Sequence, residues 1–290
     1  YTDTMKFDAL AQDIPTAQIE YLGDKLFIKR LDLIHPHISG NKFFKLKYNL
    51  EYAIQHGYQQ ILTFGGAYSN HIAATAWAAH YFGLKSIGII RGAELKDKPL
   101  NKTLAQAHHD GMQFEFISRD AYRKKESLEF LSALQARYPD AYIVPEGGSN
   151  TLAIQGCQEI LSAPEHEFDL ICCAVGTGGT ILGLIEASLD HQQILGFSAL
   201  KGDFLAQDIA KRTFKRNWSI TDEFCCGGYA KTTPELMDFI QDFETRYGIP
   251  LEHVYTAKML RGVFSMIERQ AIDPKQKILL IHSGGLQGRF

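Results

Sequence analysis

The feature that most constrains the fold is an alternation of short β-rich runs with longer helical ones. The stretches KLFIKRL (25–31), QILTFGG (60–66), SIGIIRG (86–92), QFEFIS (113–118) and AYIVPEGG (141–148) read as strands. Helical patterns fall between them near 43–56, 70–82, 99–110 and 121–137. LICCAVGTGGT (170–180), ILGFSAL (194–200), ITDEFCC (220–226) and KILLIHSGG (277–285) continue the series, again with helices between. Such a chain builds βαβ units, whose parallel strands are covered by helices on both faces. About ten strands are many for one open sheet. The expected fold is therefore α/β with two domains, each a mostly parallel sheet flanked by helices.

In sheets of this kind ligands bind beyond the C-terminal ends of the strands, and three strands here run straight into glycine-rich turns. The first is LTFGGAYSNHIAATA, where Gly65 and Gly66 precede a helix starting near Ser69-Asn70. Its amides and hydroxyl suit a carboxylate, or form only a capped turn. The second is CAVGTGGTILG, where Gly176, Gly178 and Gly179 open a helix and Thr177 and Thr180 add hydroxyls. Backbone N–H groups there could approach a phosphate. No Gly-Lys-Ser/Thr follows, and the match to a dinucleotide fingerprint is loose. The third, LLIHSGGLQG, ends a strand at His282 and Ser283.

Lys42, in SGNKFFKLKYNL, stands where Gly40, a candidate cap at Asn41 and an apolar repeat from Phe43 predict the start of a helix. A cation there costs roughly 0.3–1 kcal/mol against the helix dipole. Dipole and burial together lower a lysine's pKa, and a neutral amine is the nucleophile for an imine with an aldehyde. A lysine, a Ser/Asn loop, a glycine cradle and a C-terminal hydroxyl together suit pyridoxal 5'-phosphate, which needs an amine, a phosphate anchor, a ring clamp and a partner for its ring nitrogen.

Other classes are disfavoured by bulk properties. The 290 residues are 45% hydrophobic and 22% charged, with net charge −3. That balance offers no basic surface for nucleic acid or for a membrane. No apolar run approaches the roughly 18 residues of a membrane span, and YTDTMKFDAL has no secretory pattern. The adjacent pairs Cys172-Cys173 and Cys225-Cys226, with Cys157, fit neither metal-ligand spacing nor a disulfide framework. They read as buried thiols, both pairs in strand-like stretches, in a reducing, cytoplasmic setting. His35, His37, His108, His109 and His166 lie in polar stretches, and no metal is expected.

GNKFFKLKYNLEYA resembles the lysine motif of the pyridoxal-phosphate enzymes that include D-cysteine desulfhydrase and 1-aminocyclopropane-1-carboxylate (ACC) deaminase. FGGAYSNHIAATAWAAHYFGLK, VPEGGSN, AVGTGGT, HVYTAKML and HSGG are similar to further family segments, in order, from about residue 15 onward. The resemblance implies fold type II, the tryptophan-synthase-β-like fold, with a large domain of residues 1–44 and 145–290, an inserted small domain of 45–144, and a homodimer. It implies that Lys42 holds the cofactor, that Asn70 touches the ring hydroxyl, and that Tyr255 lies against the ring. Gly176, Thr177, Gly178, Gly179 and Thr180 would bind the phosphate, and Ser283 would donate to a neutral ring nitrogen. Ser69, Asn70, His71 and Tyr229 would meet the substrate, and Lys42, Ser69 or Tyr255 would move the α-proton.

Within the family, ring-opening deaminases carry a glutamate after the ring tyrosine and a leucine after the last histidine, where this chain has Thr256 and Ser283. It also reads Ser69-Asn70-His71, as desulfhydrases do. The expected activity is β-elimination from D-cysteine or a related D-amino acid to pyruvate, ammonia and hydrogen sulfide. ACC deamination and a non-catalytic binding protein are the alternatives; a nicotinamide oxidoreductase would leave Lys42 unexplained. Two departures stand out: Phe43-Phe44 replace a polar or basic residue after the lysine, and Glu252-His253 replace a common Asp-Pro. The phenylalanines are the first candidates to reshape the pocket.

Overall fold

The structure is a computed structural model that describes residues 7–273 and 275–289. The reading of the N-terminal decapeptide as no signal falls mostly on residues 1–6, outside the described residues. The strands form two sheets. The six-stranded sheet holds β1 (Thr16–Tyr21), β2 (Asp24–Arg30), β7 (Leu170–Val175), β8 (Gln193–Ser198), β9 (Trp218–Thr221) and β10 (Ile278–His282), in the order β1-β2-β10-β7-β8-β9. All its neighbours run parallel except β1 against β2. The four-stranded sheet, order β5-β4-β3-β6, is wholly parallel and comes from β3 (Gln60–Gly65), β4 (Lys85–Arg91), β5 (Met112–Ile117) and β6 (Ala141–Ile143). This is the α/β, two-sheet fold expected.

Central strands are apolar throughout because both faces are covered: every residue of β7 and of β10 is buried. One face of the large sheet packs against α1 (Asn41–Gln55), α6 (Thr151–Gln158) and α7 (Gly179–Ala187). The other packs against α9 (Pro234–Tyr247) and α10 (Thr256–Glu268). The small sheet carries α2 (Asn70–Tyr81) and α3 (Lys102–His109) on one face. On the other lie α4 (Arg119–Arg123) and α5 (Leu128–Arg137). The remaining helix, α8 (Phe204–Ala210), lies near β9.

Several local readings change. β1 was not anticipated, because only Ile19 of its six residues is buried and the alternation is faint. β6 stops at Ile143; Pro145 has no N–H for a ladder, and Gly147 and Gly148 turn the chain with positive φ. The helix expected over 121–137 is two, each started by a serine cap: Ser118 accepts from Ala121 N and Ser127 from Phe130 N. β9 ends before the second cysteine pair, so Cys225 and Cys226 sit in a turn and not in a strand; Cys225 is buried and Cys226 half-buried. Phe43 and Phe44 do not face a pocket. Both are buried in the core, where Phe43 meets Phe7 edge-on at 4.9 Å. Burying side chains of this size contributes about 1.5–3 kcal/mol each, which anchors α1 and therefore Lys42.

Candidate active site

The order of the large sheet places the functional loops side by side. β2, β10 and β7 are neighbours, and their C-terminal ends lead to Gly40–Lys42, to Ser283–Gly285 and to Gly176–Thr180. From the small sheet, β3 delivers Ser69 and Asn70.

Gly40, not Asn41, caps α1, with no side-chain capping bond. The Asn41 side chain is engaged elsewhere: its Nδ2 donates to Thr180 Oγ1 at 2.8 Å, and its Oδ1 accepts from Lys42 Nζ at 3.0 Å. The backbone N of Asn41 donates to Ser283 O at 3.1 Å. Gly40 has φ of 69°, and a Cβ there would lie 1.9 Å from Ser283 O, so only glycine lets the two loops touch. Burial, and then the charge of Lys45, lower the Lys42 amine to about 7. In the cofactor-free protein, the acylation rate of Lys42 should therefore rise as pH passes through about 7 and level off above it. Ordinary lysines keep gaining reactivity to about pH 10.4. Competitive acetylation followed by peptide mass spectrometry reads both.

Lys45, three residues on and thus on the same helix face, was not among the expected site residues. It is 3% exposed, and its Nζ donates to Gly147 O (2.9 Å), Ser149 Oγ (3.1 Å) and Thr177 Oγ1 (3.3 Å). Ser149 and Thr177 also hydrogen-bond to each other. Among the described residues no carboxylate pairs with Lys45, and burial lowers its pKa. A buried cation held only by neutral oxygens is costly without an anion. The first turn of α7 adds backbone N–H groups free of intrahelical partners, behind Gly178 with φ of 84°. A Cβ on Gly179 would strike Ser149 Oγ at 2.8 Å, so the cradle is kept open by its glycines. A phosphate fits the charge and the donors of this point.

Tyr255 lies against the same loop: a Cβ on Gly176 would sit 3.0 Å from its ring. Tyr229 meets Tyr255 edge-on at 6.1 Å and hydrogen-bonds to it. Burial, and then Tyr229, push the Tyr255 phenol well above 10, so it stays protonated at neutral pH. Ser69 caps α2, its Oγ accepting from Ile72 N at 3.3 Å. Asn70 Oδ1 accepts from Gln287 Nε2, and its Nδ2 lies close beside Gly285, which brings it to the C-terminal loop. Ser283 Oγ is 3.4 Å from Thr256 Oγ1.

His71 is the one expected substrate contact that lies buried beneath the loop. It is 2% exposed, with Nε2 on Thr63 Oγ1 at 2.7 Å and no hydrogen-bond partner for Nδ1 among the described residues. Of the other expected residues, Lys42 is tied to Thr180 through Asn41, Tyr255 lies beside Gly176 and Tyr229, Ser283 meets Asn41 and Thr256, and Asn70 meets the loop after Ser283, while Ser69 makes its hydrogen bond at the start of its own helix. Lys45, Ser149 and Asn41 join them. The spacing of two lysines on one apolar helix face was the signal for Lys45; nothing in the order of residues pairs Asn41 with Thr180. No group of histidine, cysteine, aspartate or glutamate among the described residues is arranged to hold a metal.

Comparison with known proteins agrees. A Thermotoga maritima protein provisionally named ACC deaminase is 29% identical over 99% of this chain and 98% of its own length. The bifunctional D-cysteine desulfhydrase/ACC deaminase of Arabidopsis thaliana, a mitochondrial protein, is 30% identical over 92% of this chain and 74% of its own. A crystal structure of an ACC deaminase homologue superposes with a TM-score of 0.83 at 25% identity, covering 99% of this chain and 96% of the other. The family profile of pyridoxal-phosphate dependent enzymes matches residues 12–284, and with the lysine, cradle and ring-side tyrosine gathered as described, the chain belongs to that family.

Proposed function

We propose that this chain catalyses β-elimination from D-cysteine or a related D-amino acid, consuming water and releasing pyruvate, ammonia and hydrogen sulfide. The cofactor, when bound, stabilises negative charge on the α-carbon of the amino acid attached to it. Lys42, its amine lowered to about 7, would hold the cofactor through its aldehyde and would serve as the base for the substrate α-proton. Tyr255, kept protonated, is a donor and a wall for the ring. Ser69 and the start of α2 take the substrate carboxylate. Lys45, Ser149, Thr177 and the start of α7 take the phosphate.

The observation that carries the choice of reaction is the hydroxyl pair Thr256 and Ser283, 3.4 Å apart, at the positions that the family resemblance assigns to the ring nitrogen. Among the described residues no carboxylate stands in that pair as the glutamate of the ring-opening deaminases would, and D-cysteine desulfhydrases carry small hydroxyl residues at both positions. The bifunctional relative lends support. The second reading, ACC deamination, rests on the names of relatives. Among the described residues no helix is long and apolar enough to cross a membrane, and the reading carries with it a cytoplasmic homodimer acting on a free amino acid.

The test is to supply the cofactor-loaded protein with D-cysteine, L-cysteine and ACC, and to measure pyruvate with sulfide against 2-oxobutanoate. Pyruvate and sulfide from D-cysteine support the reading. 2-Oxobutanoate alone replaces it with deamination, and no product points to a binding protein. Lys45→Met should separate holding from stability. Loss of the buried, unpaired cation is expected to stabilise the cofactor-free fold by about 1–4 kcal/mol. Loss of a charge-assisted bond of about 1.5–3 kcal/mol is expected to weaken cofactor affinity 10–100-fold. Thermal melts with and without cofactor read both signs.

A further inference from the structure

Glu252 is a buried carboxylate with no part in the reaction described so far. It is 2% exposed and sits just before α10. Its Oε2 accepts from Val254 N at 2.7 Å, and its Oε1 accepts from Tyr255 N at 2.8 Å and from Thr256 N. The Thr256 hydroxyl hydrogen-bonds to the same carboxylate. That hydroxyl is also 3.4 Å from Ser283 Oγ. The stem of Glu252 packs under Gly285, where Asn70 also arrives. Three groups therefore stand in a row, from a carboxylate through two hydroxyls to the open site.

Resting on the reading that Ser283 faces the ring nitrogen, we propose that Glu252 sets the protonation of that nitrogen through Thr256 and Ser283. The direction follows from donor and acceptor counting. A carboxylate accepts only, so the Thr256 proton points to Glu252. The Thr256 oxygen is then an acceptor, and the Ser283 proton points to it. Ser283 is left presenting a lone pair, not a proton, to the site. A lone pair favours a ring nitrogen that carries its own proton, drawn from solvent as the cofactor binds. This reverses the expectation that Ser283 donates to a neutral nitrogen. Burial raises the Glu252 carboxyl above its ordinary pKa, and the helix-start N–H groups of Val254, Tyr255 and Thr256 oppose that rise and keep the row oriented. Glu252 also lies close enough to raise the pKa of the Lys42 amine, so its charge is felt at the reacting end as well. Glu252 and Thr256 are positioning residues; only Ser283 touches the cofactor.

The experiment is nitrogen-15 NMR of the holoprotein loaded with pyridoxal phosphate labelled at the ring nitrogen. The wild type is expected to resonate at the pyridinium position. Thr256→Val, equal in volume but without the hydroxyl, and Ser283→Ala are expected to move it to the neutral-pyridine position. Thr256→Ser should restore the pyridinium signal. Glu252→Gln is a weaker probe because it disturbs the start of α10, and Thr256→Val is decisive. A neutral nitrogen in the wild type overturns the proposal, as does a signal in Thr256→Val unchanged from wild type. Failure of Thr256→Val to load cofactor also overturns it, since the row asks nothing of that residue but a hydroxyl. The readout is independent of turnover: a shift that follows Thr256 without pyruvate from D-cysteine keeps the relay and removes the substrate assignment. Pyruvate release with no such shift does the reverse.

Discussion

Lys42→Ala is expected to abolish pyruvate release from D-cysteine and to remove the yellow colour of the loaded protein. Proton transfer by a positioned group alone accounts for 10²–10⁴-fold, and the proposed function also makes Lys42 the covalent anchor, so the loss should exceed about 10⁴-fold. Its amine is held near neutrality by burial and by the neighbouring Lys45 charge, which gives both states access at working pH. The fold should survive, because Lys42 faces the site while Phe43, Phe44, Leu46 and Leu50 hold α1 in the core. An unchanged melting temperature with no turnover and no absorbance of the bound cofactor is the expected pattern. Substantial turnover in the variant would remove Lys42 from the chemistry altogether.

Gly40→Ala should produce the largest structural effect. The backbone conformation at Gly40, φ 69° and ψ −146°, is close to a region that glycine alone adopts, at a cost of about 1–3 kcal/mol for any other residue. The added methyl would also meet Ser283 O at 1.9 Å, and overpacking of this kind costs about 1–3 kcal/mol more. The expected loss is about 2–6 kcal/mol, together with weak cofactor uptake, because the loop that leads to Lys42 is held against the Ser283 backbone at that contact. Gly57→Ala is the control. Gly57 also has positive φ, at 76°, but a Cβ there meets nothing within 4 Å, so it should cost about 1 kcal/mol and leave uptake intact. Equal melting temperatures for the two variants would show that the close approach contributes little.

What could be read in the sequence follows from what is local. β7 and β10 are uninterrupted apolar runs bounded by glycine, and both their identity and their covered position follow from that pattern. The loops after them carry Gly176 to Thr180 and Ser283, so the candidate residues could be named as types suited to an anion and a ring. Which of them touch could not be read. The hydrogen bond from Asn41 to Thr180 spans 139 positions, and the bonds from Lys45 to Ser149 and Thr177 span 104 and 132. Such contacts are set by sheet order, not by neighbours in the chain. Edge elements were hard for the opposite reason: β1 buries one side chain in six, so burial hardly marks it. Phe43 and Phe44 were misplaced because apolar residues beside a reactive lysine look alike whether they line a pocket or a core.

The order of the large sheet also bears on synthesis. β10 lies between β2 and β7, although some 250 residues separate β2 from β10 along the chain. At the roughly 5–20 residues per second of translation, β2 emerges about 10–50 s before its central partner. The small sheet needs only Gln60–Ile143 and can close on its own in that interval. The large one cannot, and β2 must wait with an open edge and apolar faces, a form that invites wrong pairing. The loop that carries the reactive lysine thus gains its contact with Ser283 only when the last strand arrives. The same insertion that completes the sheet therefore also completes the set of loops around the lysine.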